Sequence, residues 1–399
     1  MADLKVDFCG ISFKNPVVIA SAEPTNSVGH MRSCIDAGAA GVVVKTLTDS
    51  EAMRTLTRNS RYAILNEKGE IFRGKLPRYY TFYSRSGFAT ESLSEWRAFL
   101  NETRRYAEEH GANVIGSVGA STLGNWAEIA KMVEDAGVRI TELNFGCPHP
   151  SQMKEARTGM LIGQDPAVAA EVTHAVTSAV SIPVIVKLTP QVADIVEVAR
   201  AVKDAGAAAF TVTNRFVGFA ANIDTGKPYI DGRAGVGGPW VKVLTLNYLS
   251  QIYSALPLPI AGSNGIYDWR DAVEFIMTGA SLMEVCTTIM LHGYKAITGI
   301  VDGLGKFMDE KGYENIAQMR GIATRAALSY EEQFAMPKRK SRIDYDLCTS
   351  CKLCVRSCWY DALVVSGRKV ETIPDKCIGC ELCVSVCPVL GAIQMHVPA

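Results

Sequence analysis

Pro183-Val-Ile-Val-Lys-Leu-Thr-Pro-Gln-Val-Ala-Asp-Ile-Val-Glu-Val-Ala-Arg-Ala-Val-Lys-Asp-Ala-Gly-Ala-Ala-Ala-Phe-Thr-Val-Thr213 is the passage that decides the fold. A β-branched run opens it, an amphipathic stretch follows and closes on Asp204-Ala-Gly206, and a second short apolar run begins at Ala208. Unbroken apolar runs are how strands buried on both faces read. Glycine just past an apolar-periodic stretch is helix C-cap chemistry. The unit is therefore strand, crossover helix, parallel strand. Outward from it the same unit recurs, with strands expected at 17–21, 41–45, 113–118, 140–145, 183–188, 208–213, 259–263 and 282–286. Eight such strands, most preceded by Asp-Ala-Gly, Thr-Gly-Ala or a similar cap, predict an α/β fold closed as a (β/α)8 barrel. A doubly wound sheet is the other arrangement of the same units.

Residues 4–14 alternate apolar and polar around a Cys9-Gly10 turn, which predicts a hairpin closing the barrel's bottom. Residues 46–111 read as an insertion after the second strand, and its Tyr-, Arg- and Gly-rich part, 73–88, is expected to overhang the pocket. Helical stretches run from Tyr294 to about Phe334, and Met336-Pro-Lys-Arg-Lys-Ser-Arg342 reads as a solvated linker, the alternative for its basic run being a nuclear-type signal. The expected organisation is a barrel over 1–335, a linker over 336–342 and a small α+β domain over 343–399.

Eight of the 12 cysteines fall in that last domain, as Cys348-x2-Cys351-x2-Cys354-x3-Cys358 and Cys377-x2-Cys380-x2-Cys383-x3-Cys387-Pro388. This is bacterial-ferredoxin spacing for two 4Fe-4S clusters, in which the fourth Cys of each run ligates the other cluster. The expected sets are Cys348, Cys351, Cys354 and Cys387 for one, and Cys377, Cys380, Cys383 and Cys358 for the other. A zinc ribbon uses paired C-x2-C as well, but two pairs rather than two triplets each trailed by a fourth Cys. Trp359 stands where the first run would usually carry proline.

Lys plus Arg and Asp plus Glu balance at 41 each, which argues against a nucleic-acid partner. There is no signal-like N-terminal segment and no apolar run long enough to span a bilayer, so a cytoplasmic protein is expected. The four remaining cysteines, Cys9, Cys34, Cys147 and Cys286, are scattered and imply no disulfide framework.

In a barrel the chemistry collects at the C-terminal strand ends. Here these are Ala20-Ser21, Lys45-Thr46, Ser117, Asn144 with Cys147 beyond, Lys187, Asn214-Arg215, Asn264-Gly265 and Thr287-Thr288. Small residues at the last two ends, with Gly237-Gly238 upstream, predict a phosphate cradle. Lys45 and Lys187 opposite it could each singly be a core-rim salt-bridge lysine, but together they suit the pyrimidine edge of a reduced flavin, whose negative charge cations stabilise. A Schiff-base lysine with pyridoxal phosphate uses the same parts, but has no use for single electrons. In Asn144-Phe-Gly-Cys147-Pro148-His149, the proline draws Cys147 into an extended loop conformation. A thiol of ordinary pKa about 8.5 can hand over a proton there, with His149 placed to tune it; a free Cys as a small buried hydrophobe is the alternative.

These motifs resemble the flavin-binding domain of the dihydropyrimidine and dihydroorotate dehydrogenases, fused to a two-cluster ferredoxin domain, over essentially the whole chain. The resemblance implies FMN and two 4Fe-4S clusters as cofactors, Cys147 as catalytic acid/base on a mobile loop, and Asn144 and Asn214 as substrate amides. It also implies Ala20, Lys45, Thr46, Lys187, Asn214, Gly238, Gly265 and Thr287 around FMN. Three positions depart from that pattern: Arg215 replaces a Thr, Ser84 an Asn, and Gly146 a Ser. A guanidinium gained where an amide is lost favours an anionic substrate over uracil; the alternative is that Arg215 turns outward to a loop carboxylate. No G-x-G-x-x-G follows any strand, so electrons are expected from an FAD- and NAD(P)H-binding partner subunit or a soluble ferredoxin. An oligomeric enzyme adding or removing hydrogen across a CH–CH bond is the expected activity. A barrel that merely relays electrons is the other reading.

Overall fold

In a computed structural model of the chain, which describes residues 2–147 and 158–398, two compact units form, Met1–Ala326 and Ala327–Ala399. The first is built on eight parallel strands, Val17–Ile19, Gly41–Val43, Asn113–Val118, Thr141–Asn144, Val184–Lys187, Ala209–Val212, Ile260–Ser263 and Leu282–Val285. Each pairs with the next and the last with the first, so the sheet closes. Nearly every residue of these strands is buried, as expected where helices cover the outside and side chains fill the inside. Most of the crossover helices start on side-chain caps. Asp165, for instance, accepts from the backbone of Ala167 and Val168, and Asp194 from Val196 and Glu197.

The N-terminal hairpin forms as expected, Val6–Phe8 against Ile11–Phe13, with Cys9 and Gly10 at positive φ in its turn. Its Phe8 and Phe13 are fully buried in the main core.

Two expectations need correction. The insertion after the second strand ends at Ser92 rather than Gly111, because Leu93–Glu109 is the crossover helix itself: Ser92 and Glu95 form its capping box, and Trp96 and Leu100 bury against the barrel. The insertion proper supplies Arg61–Leu65 and Thr81–Arg85, which join Phe216–Gly218 and Ala234–Gly237 in a four-stranded antiparallel sheet with its own small core around Tyr83. The linker likewise differs. Lys340–Ile343 is a strand paired with Ile393–His396, burying Ser341 and Ile343 alternately, and the second unit already begins before the helix Tyr330–Ala335. Three alternating residues are too few to announce a strand inside a basic run.

Candidate active site

A cleft opens at the C-terminal strand ends of the barrel, with about 1060 Å³ of empty space once the solvent at its mouth is included. Ala20, Ser21, Lys45, Thr46, Asn144, Cys147, Lys187, Asn214, Arg215, Gly238, Asn264, Gly265, Thr287 and Thr288 all line it. Three expected residues do not. Ser117 is buried behind Thr46, with their hydroxyls 3.0 Å apart; Gly237 pairs with Phe82 inside the small sheet; and Ser84 is buried in that sheet under Arg215. Pro148 and His149 lie outside the described residues.

Thr46 gathers one wall. Its hydroxyl contacts those of Ser21 and Ser117 and accepts from Asn144 Nδ2, each at 3.0 Å. Asn144 Oδ1 in turn accepts from the backbone of Gly146 and Cys147 and from Asn214 Nδ2 at 3.1 Å. The buried Cys147 is thus set by a side chain of the preceding strand, with Met53 and Phe88 packed beside it. Gly146 has a steric reason: a Cβ there would stand 2.3 Å from Asn214 Cβ.

Lys45 donates to Glu23 at 2.9 Å and to Ser86 at 3.3 Å, while Ser86 and Tyr62 donate to the same Glu23 oxygen. Burial pushes the Glu23 carboxyl up, but the Lys45 charge and these hydrogen bonds outweigh it and hold it well below the usual range. Lys187 pairs with Glu284 and lies 3.6 Å from Glu142. Although burial disfavours its charge, the two carboxylates outweigh that and raise its pKa. Cys286 lines the cleft too, and burial, then the Glu23 charge, pushes its thiol up to about 12.

Arg215 faces the cleft rather than a loop carboxylate. Nη1 donates to Ser84, the guanidinium lies over Gly235, where a Cβ would come within 2.8 Å of Cζ, and among the described residues no carboxylate pairs with it. Ser84 and Gly235 are register partners on neighbouring strands. Two of the departures noted in the sequence are therefore one feature, a small-residue seat for a guanidinium.

Elsewhere on the cleft lining, two glycines bring the backbone close. Gly238 (φ +141°) and Gly265 (φ +110°) would each place a Cβ against neighbouring backbone, 2.3 Å from the Tyr80 carbonyl oxygen and 2.6 Å from Lys242 Cα. Thr287 opens the short helix Thr287–His292 beside them. A cradle of backbone groups with two lysines in the same cleft suits a phosphate-bearing flavin such as FMN.

Sequence reasoning missed Glu23, Ser86, Glu142 and Glu284. Glu23 opens a short 3-10 helix just past the first strand end, and Ser86 falls within the overhanging segment 73–88 without having been singled out there. Glu142 and Glu284 lie inside strands, two residues before Asn144 and Cys286, and period two was the available signal that they share the inward face.

In the second unit, Cys358, Cys377, Cys380 and Cys383 line one hollow, and Cys348, Cys351, Cys354 and Cys387 another. The short helices Leu353–Arg356 and Leu382–Ser385 each carry the third Cys of their run. The thiols of each set surround a hollow, a donor arrangement that suits a 4Fe-4S cubane. Trp359, beside Cys358, is 87% exposed.

The sequence profile of the dihydroorotate dehydrogenase family matches residues 3–308, and that of a 4Fe-4S dicluster domain matches residues 341–395. The NAD-dependent dihydropyrimidine dehydrogenase subunit PreA of Escherichia coli (strain K12) is 31% identical over 367 residues, 90% of this chain and 85% of that one. The catalytic subunit of dihydroorotate dehydrogenase B (NAD(+)) from Pyrococcus abyssi is 32% identical over 321 residues, 80% of this chain and 99% of that one. The corresponding subunit from Methanothermobacter thermautotrophicus is 31% identical over 322 residues, 80% and 98% of the two chains. Among the described residues no helix is long and apolar enough to cross a membrane.

Proposed function

Because this chain belongs to the dihydroorotate dehydrogenase family and is a flavin-dependent oxidoreductase with two 4Fe-4S clusters, we propose that it moves hydrogen across a CH–CH bond of a small cyclic or unsaturated carboxylate. Bound FMN supplies hydride transfer, and the clusters supply electrons one at a time. Gly238, Gly265 and Thr287 would hold the phosphate of FMN, and Lys45 and Lys187 would supply the positive charge that its reduced ring calls for. Asn144 and Asn214 orient the substrate. Cys147 Sγ gives or takes the proton at the carbon next to the one that exchanges hydride, and Met53 and Phe88 keep water from the thiol. The two four-cysteine sets that line separate hollows ligate the clusters. With no dinucleotide fingerprint in the chain, electrons come from a partner; the Escherichia coli relative is itself an NAD-dependent subunit.

The observation that carries the substrate class is Arg215: a guanidinium on the cleft wall, held by Ser84 and without a carboxylate partner among the described residues. Such a fork pairs a carboxylate bidentately. Dihydroorotate carries one and uracil does not, so a pyrimidine substrate remains in this reading only as an acid. The test is anaerobic. After reduction of the holoprotein, unsaturated acids, orotate among them, should reoxidise the flavin and uracil should not. Arg215→Ala should abolish the preference, and Cys147→Ser should stop turnover with flavin and clusters retained. Uracil turning over as fast as the acids, or an unaffected Cys147→Ser, refutes the respective assignment.

A further inference from the structure

Four inward-facing side chains from four barrel strands meet at the floor of the cleft, which Lys187 and Glu284 line: Glu142, Lys187, Thr211 and Glu284. Glu142 and Thr211 are 0% exposed, Glu284 3% and Lys187 5%. Lys187 Nζ donates to Glu284 Oε2 and lies 3.6 Å from Glu142 Oε1. Thr211 Oγ1 stands 2.7 Å from Glu142 Oε2 and 3.1 Å from Glu284 Oε1.

A hydroxyl carries one proton and can donate to one carboxylate only. Its second contact at hydrogen-bond distance needs a proton from the other side. Charge makes the same demand, since two carboxylates and one ammonium would leave a net negative charge buried among apolar strands. One proton on the pair satisfies both. Lys187 decides where it sits: Glu284 takes the ammonium directly and stays ionised, whereas Glu142 has only the longer approach, and its Oε1 is buried with no hydrogen-bond partner.

We propose that Glu142 is a carboxylic acid in the folded protein, donating to Thr211, which donates to Glu284, which pairs with the Lys187 ammonium. The direction of its titration agrees. Burial and then the Glu284 charge push the Glu142 carboxyl up, and together they outweigh Lys187. The four groups then sum to zero charge. With Glu142 ionised, two carboxylates would draw the ammonium down and leave the cleft floor negative, the wrong sign for the anionic edge of a flavin. Glu142 lines no part of the cleft; it is a positioning residue acting through Lys187. That consequence rests on the cleft being the FMN site; the proton assignment does not.

Infrared spectra of the full-length protein at neutral pH, in the carboxylic-acid C=O region, test it by counting. The parent shows one solvent-shielded acid band. Glu142→Gln loses it. Glu284→Gln loses it as well, although Glu142 is intact, because Glu142 must then ionise to balance Lys187. Lys187→Met shows about twice the intensity, both carboxyls now being neutral. A parent without the band, or a band that survives Glu142→Gln, overturns the proposal, and the isosteric Gln variant alone suffices if Lys187→Met does not fold. FMN affinity separates the two claims. Lys187→Met should bind FMN at least about tenfold more weakly, and unchanged binding with the expected bands would remove FMN from the cleft floor while leaving the proton on Glu142.

Discussion

Gly146→Ala is the substitution whose cost the geometry states most directly. The new methyl would sit 2.3 Å from Asn214 Cβ and 2.9 Å from Asn214 Cγ and Nδ2, so one backbone must give. If Asn214 retreats, its amide leaves Asn144 Oδ1, and the Arg215 N–H that Asn214 Oδ1 accepts at 2.7 Å is lost with it. If residue 146 retreats, the N–H bonds of Gly146 and Cys147 to Asn144 break instead. Either way two hydrogen bonds of about 1 kcal/mol each are added to an overpacking cost of about 1–3 kcal/mol. The total is about 3–5 kcal/mol if both bonds are lost and less if the loop relaxes. Urea unfolding of the flavin-loaded protein reads the loss, and turnover should fall further because Cys147 and Arg215 move together. The closest atom is Asn214 Cβ, so in the Gly146→Ala background Asn214→Gly should relieve the overpacking part of the loss, although it lacks the amide, whereas Asn214→Ala should not. An alanine at 146 as stable and active as the parent, or rescue by Asn214→Ala, refutes this account of why glycine stands before the cysteine.

Glu23 has a depressed pKa, so its pairing with Lys45 stabilises the fold above the unfolded value of about 4.3 and is lost as pH falls through the folded one. Glu23→Gln should therefore unfold more readily at pH 7 yet show a shallower loss of stability below pH about 4.3, seen in urea midpoints across pH; an equally steep acid limb would contradict the pairing. Cys286, with its thiol near 12, should resist iodoacetamide at pH 8 even though it lines the cleft, since only about one molecule in ten thousand is thiolate there; rapid alkylation mapped to Cys286 by mass spectrometry would show that burial is relieved. In the second unit, Cys387→Ser should perturb the cluster held by Cys348, Cys351 and Cys354, and Cys358→Ser the one held by Cys377, Cys380 and Cys383. Low-temperature electron paramagnetic resonance of each variant, compared with a change in its own run such as Cys351→Ser, reads which signal shifts; loss of the same-run cluster would reverse the assignment.

Much of this protein is legible along the chain because its units are local. Each barrel strand is a short apolar run and each crossover helix ends on nearby cap chemistry, so all eight strands fall within the expected segments. Lys45, Asn144 and Asn214 reach the cleft for the same reason: a residue at the C-terminal end of a barrel strand has nowhere else to go. The insertion boundary at 92 was missed although Ser92-Leu-Ser-Glu95 is a capping-box signature, because the insertion's sheet is completed by segments far along the chain, which left nothing local to mark its end. The strand within the basic run at 340–343, whose partner lies 50 residues on, was not legible either.

By itself, then, the sequence determined the closed barrel, the two-cluster tail and the residue types at the strand ends, because strand, helix and ligand spacing are properties of neighbours in the chain. Only the tertiary structure decided which of them touch. Ser84 reaches Arg215 across 131 positions, and Lys187 reaches Glu284 across 97. Whether a lysine or an arginine is spent on a buried carboxylate or left for a ligand depends on those long-range contacts. In this chain closure of the barrel pairs Lys187 with Glu284 at the cleft wall, and it leaves Arg215 in the same cleft with no carboxylate partner among the described residues.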